Sequence, residues 1–219
     1  MPPAKKPKLD LALLQDAARD FALTETEHKS LFGVSDGKAV GTYVEHRFRE
    51  YLEERFEFTP GNSAEGIDLP ELGVDFKVTR TSQPQSSCPF KSARQKIYGL
   101  GYAVLVFVYE KQDNPKKKTG RLDFRHVVFV EKERTADFQM TTSLLRIIEN
   151  DGNREDILAF FEDKNLPCSD IEARNLADEV IKNPPDVGYL TISNALQWRL
   201  QYARAIEKAG TVEGVRKVV

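Results

Sequence analysis

The chain has 219 residues, 32 Lys and Arg against 34 Asp and Glu, a net charge of −2 and a pI near 6.0, which excludes a strongly basic nucleic-acid coat. With 40% apolar and 30% charged residues it is globular, large enough for one core with an appendage or two small domains. No apolar run nears the ~20 residues of a membrane span, the start MPPAKKPKL lacks a secretory apolar stretch, and Cys88 and Cys168 have no CxxC neighbour. The expectation is a cytoplasmic protein with no membrane and no disulfide framework.

Residues 9–22 place Leu9, Leu13, Ala17 and Phe21 at helical spacing behind a loose Pro/Lys leader. After the Gly33 to Gly37 turn, Val40, Val44, Phe48, Leu52 and Phe56 step by four, which predicts a helix of about five turns. In GIDLPELGVDFKVTR, Val74, Phe76 and Val78 alternate with Asp75, Lys77 and Thr79, the period of a strand with one apolar and one wet face. A short strand near Ile67 to Leu69 precedes it across a turn at Pro70 to Gly73. SQPQSSCP, 82–89, reads as a loop and Phe90 to Tyr98 as a short helix. The apolar run Tyr102 to Tyr109 predicts a buried central strand, followed by a second at Asp123 to Lys132 across the KQDNPKKKTG loop. Beyond Thr141 all reads as helix. The predicted class is α/β, with a mixed central sheet flanked by helices in residues 1–134 and a mainly helical C-terminal region in 135–219.

Charge is polarised along the chain: residues 1–79 carry net −5, 80–134 net +7 and 135–219 net −4. Carboxylates beside a basic block suit a metal-dependent enzyme acting on a polyanion, although solvated loop charge gives the same pattern.

Asp75 and Lys77, two apart on a strand, leave the same face about 7 Å apart. If 70–73 is a tight turn, Asp68 falls opposite Asp75, with Cβ atoms about 5 Å apart. Two carboxylates so close need a cation between them, and hard oxygens suit Mg2+. Asp68 and Asp75 are therefore the candidate metal ligands, and Lys77 the group that positions the attacking water and the phosphate. Glu45 lies beside the apolar stripe of the long helix, one turn after Gly41, and is the fourth catalytic candidate. His28, His46 and His126 are scattered and form no zinc spacing.

Asp68, six intervening residues and Asp75-x-Lys77, with Leu69, Pro70, Leu72, Gly73 and Val74 in agreement, resemble the active-site segment of PD-(D/E)xK nucleases, specifically the MutH type and its restriction-enzyme relatives. DGKAVGTYVE, 36–45, is similar to that group's helix ending in an active-site glutamate, which maps onto Glu45. The resemblance covers 36–80 and, more loosely, 87–109. Asp75 stands where MutH has glutamate, a swap made elsewhere in the superfamily, and the interval from Glu45 to Asp68 is longer than in that group. The resemblance implies a restriction-endonuclease-like core and Mg2+-dependent hydrolysis of DNA.

Such an enzyme must grip DNA. Lys38, Lys91, Arg94 and Lys96, with Lys116, Lys117, Lys118 and Arg121, are the expected phosphate contacts. Residues 188–219 read as a helix near Thr191 to Trp198, a turn, a second helix to Ala209 and a Gly-containing wing. On that second helix Arg199, Gln201, Arg204 and Lys208 are placed to read bases; a packed helical hairpin is the other reading. Gln83, Gln85, Ser86 and Ser87 are rival base readers.

The expectation is a prokaryotic type II restriction endonuclease acting on double-stranded DNA as a monomer or homodimer, with a cognate DNA methyltransferase as companion. The alternatives are a MutH-like repair nickase and a non-catalytic DNA-binding regulator with a nuclease-like core.

Overall fold

The computed structural model describes residues 6–24, 26–61, 66–89, 91–193 and 198–219. In chain order its elements are α1 (Leu11–Thr24), β1 (Glu27–His28), α2 (Gly37–Arg55), β2 (Val74–Arg80), β3 (Gln85–Cys88), α3 (Arg94–Tyr98), β4 (Ala103–Asn114) and β5 (Thr119–Val130). There follow α4 (Phe138–Glu149), α5 (Arg154–Asp163), α6 (Asp170–Lys182), β6 (Thr191–Ile192), β7 (Trp198–Gln201), α7 (Ala203–Lys208) and β8 (Val215–Lys217). The protein is mixed α/β, as expected, and divides into two compact units. One is drawn from the stretch up to Pro84, Val104–Val130 and the end from Ala209; the other from Gln85–Ala103 and Glu131–Lys208. Among the described residues no helix is long and apolar enough to cross a membrane.

The first unit holds a five-stranded sheet in the order β1-β5-β4-β2, with β8 also paired to β5. Helix α1 starts where the Asp10 carboxylate accepts the Leu13 N–H at 2.8 Å, and it buries Leu14, Ala17, Ala18, Phe21 and Ala22. That stripe is rotated from the expected one, so Leu13 sits at its margin. Helix α2 begins at Asp36, whose side chain accepts the N–H groups of Lys38 and Ala39 at 3.2 and 3.1 Å. Its buried face is Val40, Gly41, Val44, Phe48 and Leu52, as the step of four predicts, while Phe56 lies just past the helix end. The core is aromatic: the Phe48 ring lies 5.0 Å from both Phe76 and Phe107 and 5.1 Å from Phe21.

Strands β4 and β5 reach further into the hairpin than expected, because residues 110–114 and 119–122 continue the antiparallel ladder. Only residues 115–118 turn. Asn114 closes them by accepting the N–H groups of Lys116 and Lys117, both at 3.1 Å. The Gly-containing wing expected near the C-terminus is instead β8, an antiparallel neighbour of Val128 to Val130.

The second unit packs α3 through α6 around Ile97, Met140, Leu144, Ile157, Phe161, Leu176 and Val180. Caps set these helices: Asp137 accepts the Met140 N–H at 2.8 Å, and Asn153 and Asp156 form a reciprocal capping box. Beside them lies a three-stranded antiparallel sheet, β3-β7-β6. Two expectations are overturned here. The 82–89 segment is not all loop, since Gln85–Cys88 is a strand. The helix-turn-helix reading fails because Thr191–Ile192 and Trp198–Gln201 are strands, leaving a helix only at Ala203–Lys208. Trp198 and Leu200 are buried and Arg199 and Gln201 exposed, which is the period of two. Residues 194–197 of the expected first helix lie outside the described residues.

Candidate active site

The site lies within the first unit and is built by one tight turn. Leu69 and Val74 exchange backbone hydrogen bonds at 2.9 and 3.2 Å, and the Leu72 N–H reaches the Leu69 carbonyl at 3.2 Å. Gly73 has φ +62°, a conformation open to glycine at little cost. The expected strand at Ile67 to Leu69 is thus reduced to one bridging residue, Leu69. That single bridge sets the register that puts Asp68 across from Asp75.

The Asp68 carboxylate is held at both oxygens: Oδ2 accepts the Phe76 N–H at 2.7 Å and Oδ1 the Arg49 guanidinium at 2.8 Å. Lys77 Nζ stands 2.6 Å from Asp75 Oδ2. The face carrying these groups is not the wet surface that alternation predicts. Asp75 is only 5% exposed. Burial, reinforced by Asp68 within hydrogen-bonding reach, pushes the Asp75 carboxyl up to about 7, against the pull of Lys77. Glu45, half-buried on α2, is also raised, first by burial and then by the charge of Asp68, with Lys77 and Arg49 opposing. For Lys77 burial works to lower the ammonium, but Asp75, Glu45 and Asp68 more than reverse it, so its net shift is upward. Asp68 and Lys77 thus act on both Glu45 and Asp75, which links the four sequence candidates electrostatically.

Arg49 was not among them. It lies four residues after Glu45 on α2, on the same helical face, and that spacing is the signal that could have found it.

Among the described residues no three His, Cys, Asp or Glu groups converge as they stand on a point able to hold a metal. Arg49 and the Phe76 N–H engage the Asp68 oxygens, and Lys77 engages one from Asp75. The donor chemistry nevertheless fits a hard divalent cation. Two carboxylates are in reach of each other, and one is so disfavoured as an anion that its proton is held to about pH 7.

The expected DNA contacts are sorted by their surroundings. Lys38, Lys116 and Lys118 are exposed, and Lys117 is paired with Glu27 at 3.1 Å. Gln83 is exposed, with its carbonyl accepting the Thr79 hydroxyl at 3.1 Å. In the second unit Lys91 is exposed, whereas Arg94 is engaged by Glu179 at 2.7 Å and lies over the Tyr98 ring. Lys96 is buried at 5% exposure, so it is not the surface phosphate contact expected; burial lowers its ammonium, with Asp137 opposing. Ser86 points to the buried side of its sheet, its hydroxyl 2.5 Å from that of Tyr202. Arg204, expected to read bases, lies 3.7 Å over the Phe138 ring with a buried Nε. Gln85, Arg199 and Gln201 come together on the outer face of the three-stranded sheet, where Gln85 pairs with Gln201.

Comparison with known proteins agrees with an endonuclease. The family described as Type II restriction enzyme NspV matches residues 8–217. A relative, "Type II restriction enzyme NspV" from Nostoc sp., is 57% identical over 212 residues, 96% of each chain. No solved structure matches. A match across nearly the whole chain leaves no room for an unrelated fold, and the protein belongs to the NspV family of type II restriction enzymes.

Proposed function

We propose that this protein cuts double-stranded DNA at a specific sequence by Mg2+-dependent hydrolysis, with Glu45, Asp68, Asp75 and Lys77 as a PD-(D/E)xK site of the MutH type. The observation that carries this reading is the register at the Leu69–Val74 bridge, which faces Asp68 with Asp75 beside a paired Lys77. Asp68 and Asp75 are the residues that would hold the metal, which when bound supplies charge neutralisation at the scissile phosphate and activation of water. A water oxygen attacks phosphorus, the phosphorus–oxygen bond to the leaving nucleotide breaks, and the departing oxygen takes up a proton. Lys77, shifted upward, stays protonated near neutral pH, so its part is to hold the water and the phosphate as a cation. Glu45, also shifted upward, is the better proton acceptor of the two. Arg49 keeps the Asp68 carboxylate oriented. The protein acts in the cytoplasm as a monomer or homodimer, and a cognate DNA methyltransferase protects the host's own sites.

Purified protein with Mg2+ and phage DNA is expected to give discrete fragments. Nicked circles alone from plasmid would favour a MutH-like nickase, and a gel shift without cutting would favour the inactive regulator. Asp75→Ala is expected to lower cleavage at least about a hundredfold while DNA binding in Ca2+ persists; undiminished cutting would refute the site.

A further inference from the structure

We infer that the outer face of the β3-β7-β6 sheet is the surface that reads base edges in the DNA, with Arg199 and Gln201 as specificity-determining residues. The inference rests on the DNA-cleaving function proposed above and names where its sequence preference resides. Its ground is the register. Gln85 stands opposite Gln201, and Ser87 opposite Arg199. Thr191 stands opposite Gln201 on the other side. These five side chains leave one face, because residues two apart on a strand and direct partners across strands point the same way. The intervening residues Cys88, Ile192, Trp198 and Leu200, all at most 3% exposed, anchor the other face in the second unit. Ser86 and Tyr202 tie the same side together at 2.5 Å. The outer face is therefore held on a rigid support.

Its chemistry suits base edges better than backbone. The five side chains are one guanidinium, two carboxamides and two hydroxyls, with no carboxylate among them to repel DNA. Arg and Gln are the side chains that pair in a bidentate way with guanine and adenine in the major groove, which admits a two-stranded ribbon. A lysine patch would grip phosphate without reading sequence. Spacing agrees: Arg199 and Gln201 are about 7 Å apart along β7, close to two base-pair steps of about 3.4 Å each. Among the described residues these donors are not spent. Arg94 is bound to Glu179 and Arg204 lies on Phe138, whereas the Arg199 guanidinium and Gln201 carboxamide have no side-chain partner among the described residues.

The test measures equilibrium binding in Ca2+ to a short duplex carrying the site read from the digestion ends, against the same duplex with that site scrambled. Wild type, Arg199→Ala, Arg199→Lys and Gln201→Ala are compared. The cognate-to-scrambled affinity ratio is expected to fall about ten- to hundredfold in each variant, with scrambled binding held within about twofold for Arg199→Lys and Gln201→Ala. Cleavage of a library randomised within the site is expected to show relaxed preference at one or two adjacent positions. An unchanged ratio overturns the proposal. So does an equal loss on both duplexes, which would mark a phosphate grip. Thermal midpoints check folding, and if Arg199→Ala does not fold, Arg199→Lys carries the test. Full cutting by Asp75→Ala would refute the catalytic site alone and leave the affinity ratio as it was.

Discussion

At the scale of single residues, the site is a balance of charge in a partly closed place. Asp75 is buried with Asp68 in reach, and its proton is held to about pH 7, whereas an ordinary aspartate releases it near 3.8. The sign follows from linkage: the folded chain binds this proton more tightly than the unfolded chain does. The stability it contributes is fully present below the ordinary value and is lost as pH rises toward 7. In EDTA, thermal midpoints of wild type are expected to fall relative to Asp75→Asn as pH is raised from 5 to 8, with the Asn variant the more stable at pH 8. Equal slopes for both proteins would contradict the burial argument. The DxK spacing and the turn before it were legible in the sequence. Spacing from Glu45 could place Arg49 on the site's helical face, but not its hold on Asp68, which joins a helix to a turn 19 residues away.

At the scale of elements, the expected helices α1 and α2 are present because a step of three or four residues needs no partner to be recognised. The tight turn matters equally. Gly73→Ala places a Cβ on a backbone at φ +62° and is expected to cost about 1–2 kcal/mol. Because this turn sets the register of Asp68 against Asp75, cleavage is expected to fall by more than the stability loss explains. Chemical denaturation beside steady-state cleavage checks both, and an unstable variant with normal turnover would free the turn from any role in positioning. Residues 198–201 teach the converse. Their alternation of Trp198, Arg199, Leu200 and Gln201 has the period of a strand, but so short a segment does not outweigh the two-helix reading, which ends one helix at Trp198 and puts Arg199 and Gln201 in the next. The polar strand Gln85–Cys88 carries almost no local signal, since its partner lies more than a hundred residues on.

At the scale of the whole molecule, each unit is assembled from distant stretches of chain. β8 closes one edge of β5, with Val215 fully buried and Val218 6% exposed, and Arg19 donates to the Val218 carbonyl at 3.2 Å. Truncation after Gly214 is expected to cost about 3–6 kcal/mol from these two valines alone, read as a lower denaturation midpoint. A truncated protein as stable as wild type would show that the strand is dispensable. The sequence by itself determined the α/β class, the long amphipathic helix, the central hairpin and the Asp68, Asp75 and Lys77 constellation, because each is written in residues within one or two turns or pleats of one another. Tertiary structure alone decided that Lys96 is buried and that the C-terminal segment completes two sheets instead of a helix pair. It also decided that Gln85 meets Gln201. Those outcomes depend on which distant backbone satisfies a strand's hydrogen bonds and which surface covers a side chain, and no local pattern encodes either.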